Sequence, residues 1–69
     1  MLKTGIYQHF KGNYYQVLYI ARHSETEEYM VVYHPKENIE DVWIRPLSMF
    51  DETIERDGKK LKRFSYIKP

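Results

Sequence analysis

His23-Ser24-Glu25-Thr26 brings a base, a hydroxyl and a carboxylate into one short stretch, the ingredients of a hydrolytic site. Nucleophilic catalysis needs these groups within hydrogen-bond reach, the base oriented by a third group and donors aimed at the oxyanion. Neighbours within a single turn rarely meet those conditions, and no Gly-x-Ser-x-Gly turn is present. The same four residues suit a strand-ending turn in which Ser24 and Thr26 bond to nearby backbone. Three histidines, His9, His23 and His34, are enough to hold zinc with an open fourth position. No two of them have the close i, i+2 or i, i+4 spacing of familiar metal motifs, so structural or surface histidines are the simpler reading. A small hydrolase or metal-dependent enzyme using His9, His23, Ser24 and Glu25 stands as the alternative. The leading reading is a non-catalytic binding module that needs no cofactor.

Binding chemistry is better represented. Trp43 and Arg45 alternate with Val42 and Ile44. If Val42 and Ile44 point inward, Trp43 and Arg45 share the outer face and form an anchor, because aromatic and Arg side chains carry much of the energy of typical interfaces. The other arrangement puts Trp43 in the core and pairs Arg45 with a carboxylate. Tyr7, Tyr14, Tyr19, Tyr29 and Tyr33 are too many for all to be buried in so short a chain. An aromatic surface binds Pro-rich peptides, stacks bases or cages methylated cations; the same residues also make cross-strand aromatic pairs. His9 and His23 flank turns, where binding residues concentrate. The candidate recognition surface is therefore Tyr7, His9, His23, Trp43 and Arg45, and the expected partner is a protein, a peptide or a nucleic acid.

Net charge is only +1, but its distribution is uneven. Acids dominate from Glu25 to Glu55, against only Lys36 and Arg45. From Arg56 onward, Lys59, Lys60, Lys62, Arg63 and Lys68 add to Arg56, and Asp57 alone opposes them. This asymmetry either steers an anionic partner to the C-terminal hairpin or is neutralised by acidic strands alongside.

The elements that must position these side chains read as strands. Tyr, Val, Ile, Thr and Phe fall in short runs between turn residues, and helical periodicity is poor. The runs are Gly5 to Phe10, Tyr14 to Arg22, Tyr29 to His34 and Val42 to Arg45. The second is apolar on both faces through its middle, the pattern of a central strand covered on both sides. Pro46 to Phe50 suits one turn of 3₁₀ helix, with Pro at its start. Arg56-Asp57-Gly58-Lys59 reads as a two-residue hairpin with a type I′ turn, which sets Arg56 against Lys59, Glu55 against Lys60 and Ile54 against Leu61. Leu61 and Phe64 cannot both point inward on a regular strand, so a bulge is expected between them. The expected core is Val17, Leu18, Ile20, Val31, Ile44, Leu47, Phe50 and Phe64.

The fold class that follows is all-β: a small antiparallel SH3-like, partly open barrel with a single 3₁₀ turn, forming one domain over residues 1–69. A chain of 69 residues has room for one thin core. The absence of cysteine excludes disulfides and Cys-based zinc sites. Seven Tyr, three Phe and one Trp supply the buried area that such small scaffolds otherwise lack. No apolar run is long enough to span a bilayer and no signal peptide is visible, so a cytoplasmic location without membrane contact is expected.

Several ordered motifs go beyond composition. They are Gly5-Ile6-Tyr7-Gln8-His9-Phe10-Lys11-Gly12-Asn13-Tyr14-Tyr15-Gln16-Val17-Leu18, then Ala21-Arg22-His23-Ser24-Glu25-Thr26-Glu27, then Val31-Val32-Tyr33, Trp43-Ile44-Arg45-Pro46-Leu47-Ser48-Met49-Phe50, and Asp57-Gly58-Lys59 with Arg63-Phe64. Together they resemble a bacterial family known as domain of unknown function 1653, over nearly the whole chain. The resemblance implies a bacterial, cytoplasmic, stand-alone β-domain of SH3-like topology. After the third strand that family tends to carry a Leu-Tyr-Gly-like turn, where this chain has His34-Pro35-Lys36-Glu37-Asn38-Ile39-Glu40.

Overall fold

The computed structural model describes residues 2–69. The apolar runs become β1 (Gly5–His9), β2 (Tyr14–Arg22), β3 (Tyr29–Pro35) and β4 (Trp43–Pro46). One helical turn follows, α1 (Leu47–Phe50), then β5 (Thr53–Arg56), β6 (Lys59–Lys62) and β7 (Phe64–Lys68). Five strands form an antiparallel sheet in the order β4-β3-β2-β1-β7, and β5 and β6 form a separate two-stranded ribbon. The result is an SH3-like, partly open β-fold without a closed barrel.

The hairpin between β5 and β6 has the expected register: Arg56 opposes Lys59, Glu55 opposes Lys60 and Ile54 opposes Leu61. Asp57 and Gly58 both adopt positive φ, 53° and 77°, as a type I′ turn requires. The parity conflict between Leu61 and Phe64 is resolved more sharply than by a bulge. Arg63 interrupts the chain between β6 and β7, so Leu61 belongs to the ribbon while Phe64 joins the large sheet opposite His9. Arg63 is held at this junction by its N–H, which donates to the Glu52 carbonyl at 3.0 Å, and by its own carbonyl, which accepts from the Phe10 N–H at 2.9 Å.

Three expectations need correction. The turn after Pro46 is α rather than 3₁₀: the Asp51 N–H reaches back four residues to the Leu47 carbonyl at 2.9 Å. β2 is central but not covered on both faces, because Tyr19 is 68% exposed. Its two apolar faces arise from a shift in register between Val17 and Tyr19. This turns Val17 and Ile20, three residues apart, to the same side, opposite Tyr33 and Val31. Finally, Ile44 lies outside the core at 64% exposure, and Val42 is also exposed. β4 therefore faces the other way: Trp43 opposes Tyr33 and Arg45 opposes Val31, both on the side that carries the core.

That core consists of Tyr7, Val17, Val31, Tyr33, Phe50 and Phe64, with Leu2, Tyr15, Ile20 and Leu47 packed against it. Of the expected core residues, Val17, Val31, Phe50 and Phe64 are buried, Ile20 and Leu47 border the cluster, and Leu18 is half-buried outside it. Tyr7 and Tyr33 fill the places that shorter aliphatic side chains leave open. Each fully buried side chain of this kind contributes about 1.5–3 kcal/mol relative to exposure, so Val17, Val31 and Phe50, all fully buried, anchor the fold. His34 is also buried; its Nδ1 lies 2.7 Å from the Pro35 carbonyl oxygen, so that nitrogen carries the proton and donates.

Candidate functional site

Antiparallel pairing lays aromatic residues side by side across the sheet. Tyr33 opposes Trp43 and Tyr15 opposes Pro35, so the ends of β2, β3 and β4 bring together one aromatic row that runs from the core and emerges at the surface at Trp43. The Trp43 ring lies 5.7 Å from Tyr33, edge to face, and 5.9 Å from Tyr15. Tyr15 continues the row to Phe64 at 5.6 Å and to His9 at 6.4 Å. Such edge-to-face pairs are favourable beyond the area they bury.

Trp43 is 39% exposed, yet it is fixed. Its indole N–H donates to Asp41 Oδ1 at 2.9 Å, while Tyr15 and Tyr33 support the ring from below. Beside it runs a groove of about 610 Å³ lined by Tyr14, Tyr15, Pro35, Lys36, Glu37 and Trp43, with the turn residues Gly12 and Asn13 at its end. Lys36 lies over the Tyr14 ring at 5.8 Å, and its N–H donates to the Tyr14 carbonyl at 3.0 Å, which ties the two walls together. The groove lining carries one acid, Glu37, and one base, Lys36, and the Asp41 carboxylate lies beside it on the Trp43 indole N–H.

Of the five residues proposed from sequence, three converge and two do not. His9, Trp43 and Arg45 gather around Tyr15, Tyr33 and Phe64. The Arg45 guanidinium lies 5.9 Å from the Phe64 ring centre, and its Nε–H donates to the Tyr33 hydroxyl at 3.3 Å. His9 packs edge to face on Phe64 at 4.9 Å. Burial, then the positive charges of Arg63, Lys11 and Arg45, hold its imidazole below the ordinary value of 6.5. Tyr7 belongs to the core instead. It is 3% exposed, packs against Phe50 and Tyr66, and donates its hydroxyl hydrogen to the Lys3 carbonyl at 2.7 Å. Burial pushes its phenol above the ordinary value of 10.0. An exposed surface containing Tyr7 is therefore not formed.

His23 is exposed but sits at the opposite end of β2 from His9. A nine-residue strand separates them by roughly 25 Å. Its Nδ1 accepts the N–H groups of Glu25 and Thr26, at 3.1 and 3.3 Å, as a turn-closing side chain does. The set His9, His23, Ser24 and Glu25 is thus split between two ends of the sheet. Among the described residues no group of three His, Asp or Glu side chains is placed to hold a metal ion.

Tyr14, Tyr15, Pro35 and Lys36 were not singled out together in the sequence, although Tyr14 was one of the tyrosines too numerous to bury. The signal was available in the pair Tyr14-Tyr15: adjacent residues on a strand point to opposite faces, so one of the two must leave the core.

A family described as "Protein of unknown function (DUF1653)" matches residues 5–66, which take in the groove, the ribbon and nearly all of the sheet. The chain belongs to this bacterial family. The DUF1653 fold is also similar to a crystal structure of a DUF1653 protein from Bordetella bronchiseptica. The two share 32% sequence identity with a TM-score of 0.80, over 96% of this chain and 87% of that one. No curated protein matches the DUF1653 chain significantly. No helix among the described residues is long and apolar enough to cross a membrane.

Proposed function

We propose that this DUF1653 domain is a non-catalytic binding module that takes an extended peptide into the groove formed by Trp43, Tyr15, Tyr14 and Pro35. The observation that carries the reading is Trp43, a large aromatic side chain held rigid by Asp41, Tyr15 and Tyr33 with part of its ring left in water. A ring held in place loses little entropy when a partner packs on it, which is why such residues dominate binding energy. Aromatic-lined grooves of this shape suit peptides in the polyproline II conformation, whose backbone is already ordered. The Glu37 carboxylate in the groove lining, with Asp41 beside Trp43, favours a peptide that carries a basic side chain. The separation of His9 from His23 supports binding over the hydrolytic alternative.

Trp43 is the only tryptophan in the chain, so its fluorescence reports directly on the groove. Selection from a displayed library of random peptides should enrich sequences with proline and a basic residue, and the selected peptides should shift the Trp43 emission. Tyr14→Ala, at an exposed position, should weaken them at least about fivefold, as loss of an interface aromatic does. Peptides that bind wild type and Tyr14→Ala equally, or a selection that enriches nothing, would rule the groove out.

A further inference from the structure

The basic segment from Arg56 onward divides into two parts. Lys62 and Arg63 are neutralised at the base of the ribbon: Lys62 Nζ lies 2.9 Å from Asp51 Oδ1, and Arg63 Nη2 lies 2.6 Å from Glu52 Oε1. Arg56 and Lys59, at the tip, form no ion pair among the described residues, and neither does Lys11 across from them. These three cations surround a shallow depression of about 570 Å³ whose apolar floor is Phe10 and Leu61. The Arg56 guanidinium lies over the Phe10 ring at 5.1 Å and Lys11 Nζ lies 5.9 Å from the same ring. A guanidinium resting on a ring with no carboxylate partner keeps N–H donors for a phosphate, which its fork meets with two hydrogen bonds. One acid, Asp57, also lines the depression, set there by the turn in which it adopts φ 53°, so three cations face a single carboxylate.

We propose that Lys11, Arg56 and Lys59 form a second binding site, for the phosphate backbone of a nucleic acid. It goes beyond the peptide groove and lies on the other side of the turn between β1 and β2: Phe10 and Lys11 face this site, Gly12 and Asn13 face the groove. Charge complementarity selects the occupant. The depression is open and shallow, which suits a polymer running across it, and its cations are spread over two elements rather than closed around one small anion. The ribbon is separate from the large sheet and carries two of the cations at its tip, so a bulky polyanion reaches them without obstruction. Phe10 is already covered by Arg56, Lys11 and His9, so it positions the cations and leaves the bases unread; binding is therefore independent of nucleotide sequence.

The test is fluorescence anisotropy of the intact protein with a labelled single strand of about 20 nucleotides and with its duplex, as salt is raised from about 50 to 200 mM. Affinity should fall steeply with salt. The double variant Arg56→Gln/Lys59→Gln should bind about tenfold more weakly on at least one probe. On the duplex its salt slope should be shallower by about two, one for each counterion no longer released. Lys68→Gln, on β7 and outside the depression, should match wild type. All three positions are exposed, so circular dichroism should show the native spectrum throughout. Absence of binding to both probes at the lowest salt overturns the proposal. So does a double variant that binds as wild type, or equal competition by polyglutamate, which would make the site a general anion surface.

Discussion

The rings of Phe50 and Phe64 lie 4.0 Å apart and within 4° of parallel. This stack fastens the helical turn α1 to β7, two elements that share no hydrogen-bonded ladder, and both rings are essentially inaccessible to water. Removing either ring leaves a cavity that neighbouring tyrosines cannot fill without breaking their own edge-to-face pairs. Phe64→Ala should cost about 3–5 kcal/mol, enough to unfold a domain of this size. Ile20→Ala, at a half-buried position, should cost distinctly less. Equilibrium urea unfolding of the two variants orders them, and a smaller loss at Phe64 than at Ile20 would show that the stack is not central.

Two glycines should respond differently to the same substitution. At Gly58 a new Cβ meets nothing within 4 Å, so Gly58→Ala pays only for positive φ, about 1 kcal/mol. At Gly5, φ is 135° and a new Cβ would lie 2.5 Å from the Lys68 carbonyl oxygen, which is backbone. Gly5→Ala must therefore displace β7 as well, and its loss should exceed that of Gly58→Ala. Urea midpoints decide the order, and an unchanged midpoint for Gly58→Ala would contradict the turn geometry.

His9 makes stability depend on pH. Its folded-state value is depressed by burial and by Arg63, Lys11 and Arg45, so the unfolded chain takes up the proton first as pH falls. The contribution is complete above about pH 6.5 and is lost as pH drops from there toward the folded-state value. Melting temperatures measured at about pH 7.5 and pH 5.5 should differ more for wild type than for His9→Gln. Equal differences would remove His9 as the source.

Asp41→Ala should free the indole of Trp43 while leaving the fold intact, because the lost bond is exposed and worth about 1 kcal/mol or less. Time-resolved anisotropy of the single tryptophan should show faster local motion in the variant. Peptides selected on wild type should also bind it more weakly, since the ring must then be ordered on binding. Unchanged local motion would mean that Tyr15 and Tyr33 alone hold the ring.

Strand boundaries were legible because strand residues and turn residues segregate along this chain: Tyr14–Arg22 emerges with both ends as read. The ribbon register was legible because Asp57-Gly58 admits few turn types. Which way each strand faces was harder. Around β4, the aliphatic pair Val42 and Ile44 looks like the inner face, but the register puts Trp43 on Tyr33 and Arg45 on Val31. Pairing between strands decides that orientation, and it is a non-local property. Tyr7 misled for a related reason. A tyrosine is stable in a core once its hydroxyl finds a carbonyl, and Lys3, four residues earlier, provides one. The groove draws on the turn before β2, on β2 and β3, on the loop before β4 and on Trp43 of β4, so no single stretch of sequence contains it.

The open sheet leaves β4 and β7 each with one unpaired edge, where a foreign strand can in principle add and begin an aggregate. Here the exposed edges are poor templates. β4 is only four residues long and ends in Pro46, which offers no N–H. β7 carries Lys68 near its end and is followed by Pro69. An incoming strand would find a short ladder and then a missing donor on either side, so the openness that exposes the aromatic groove does not invite runaway polymerisation.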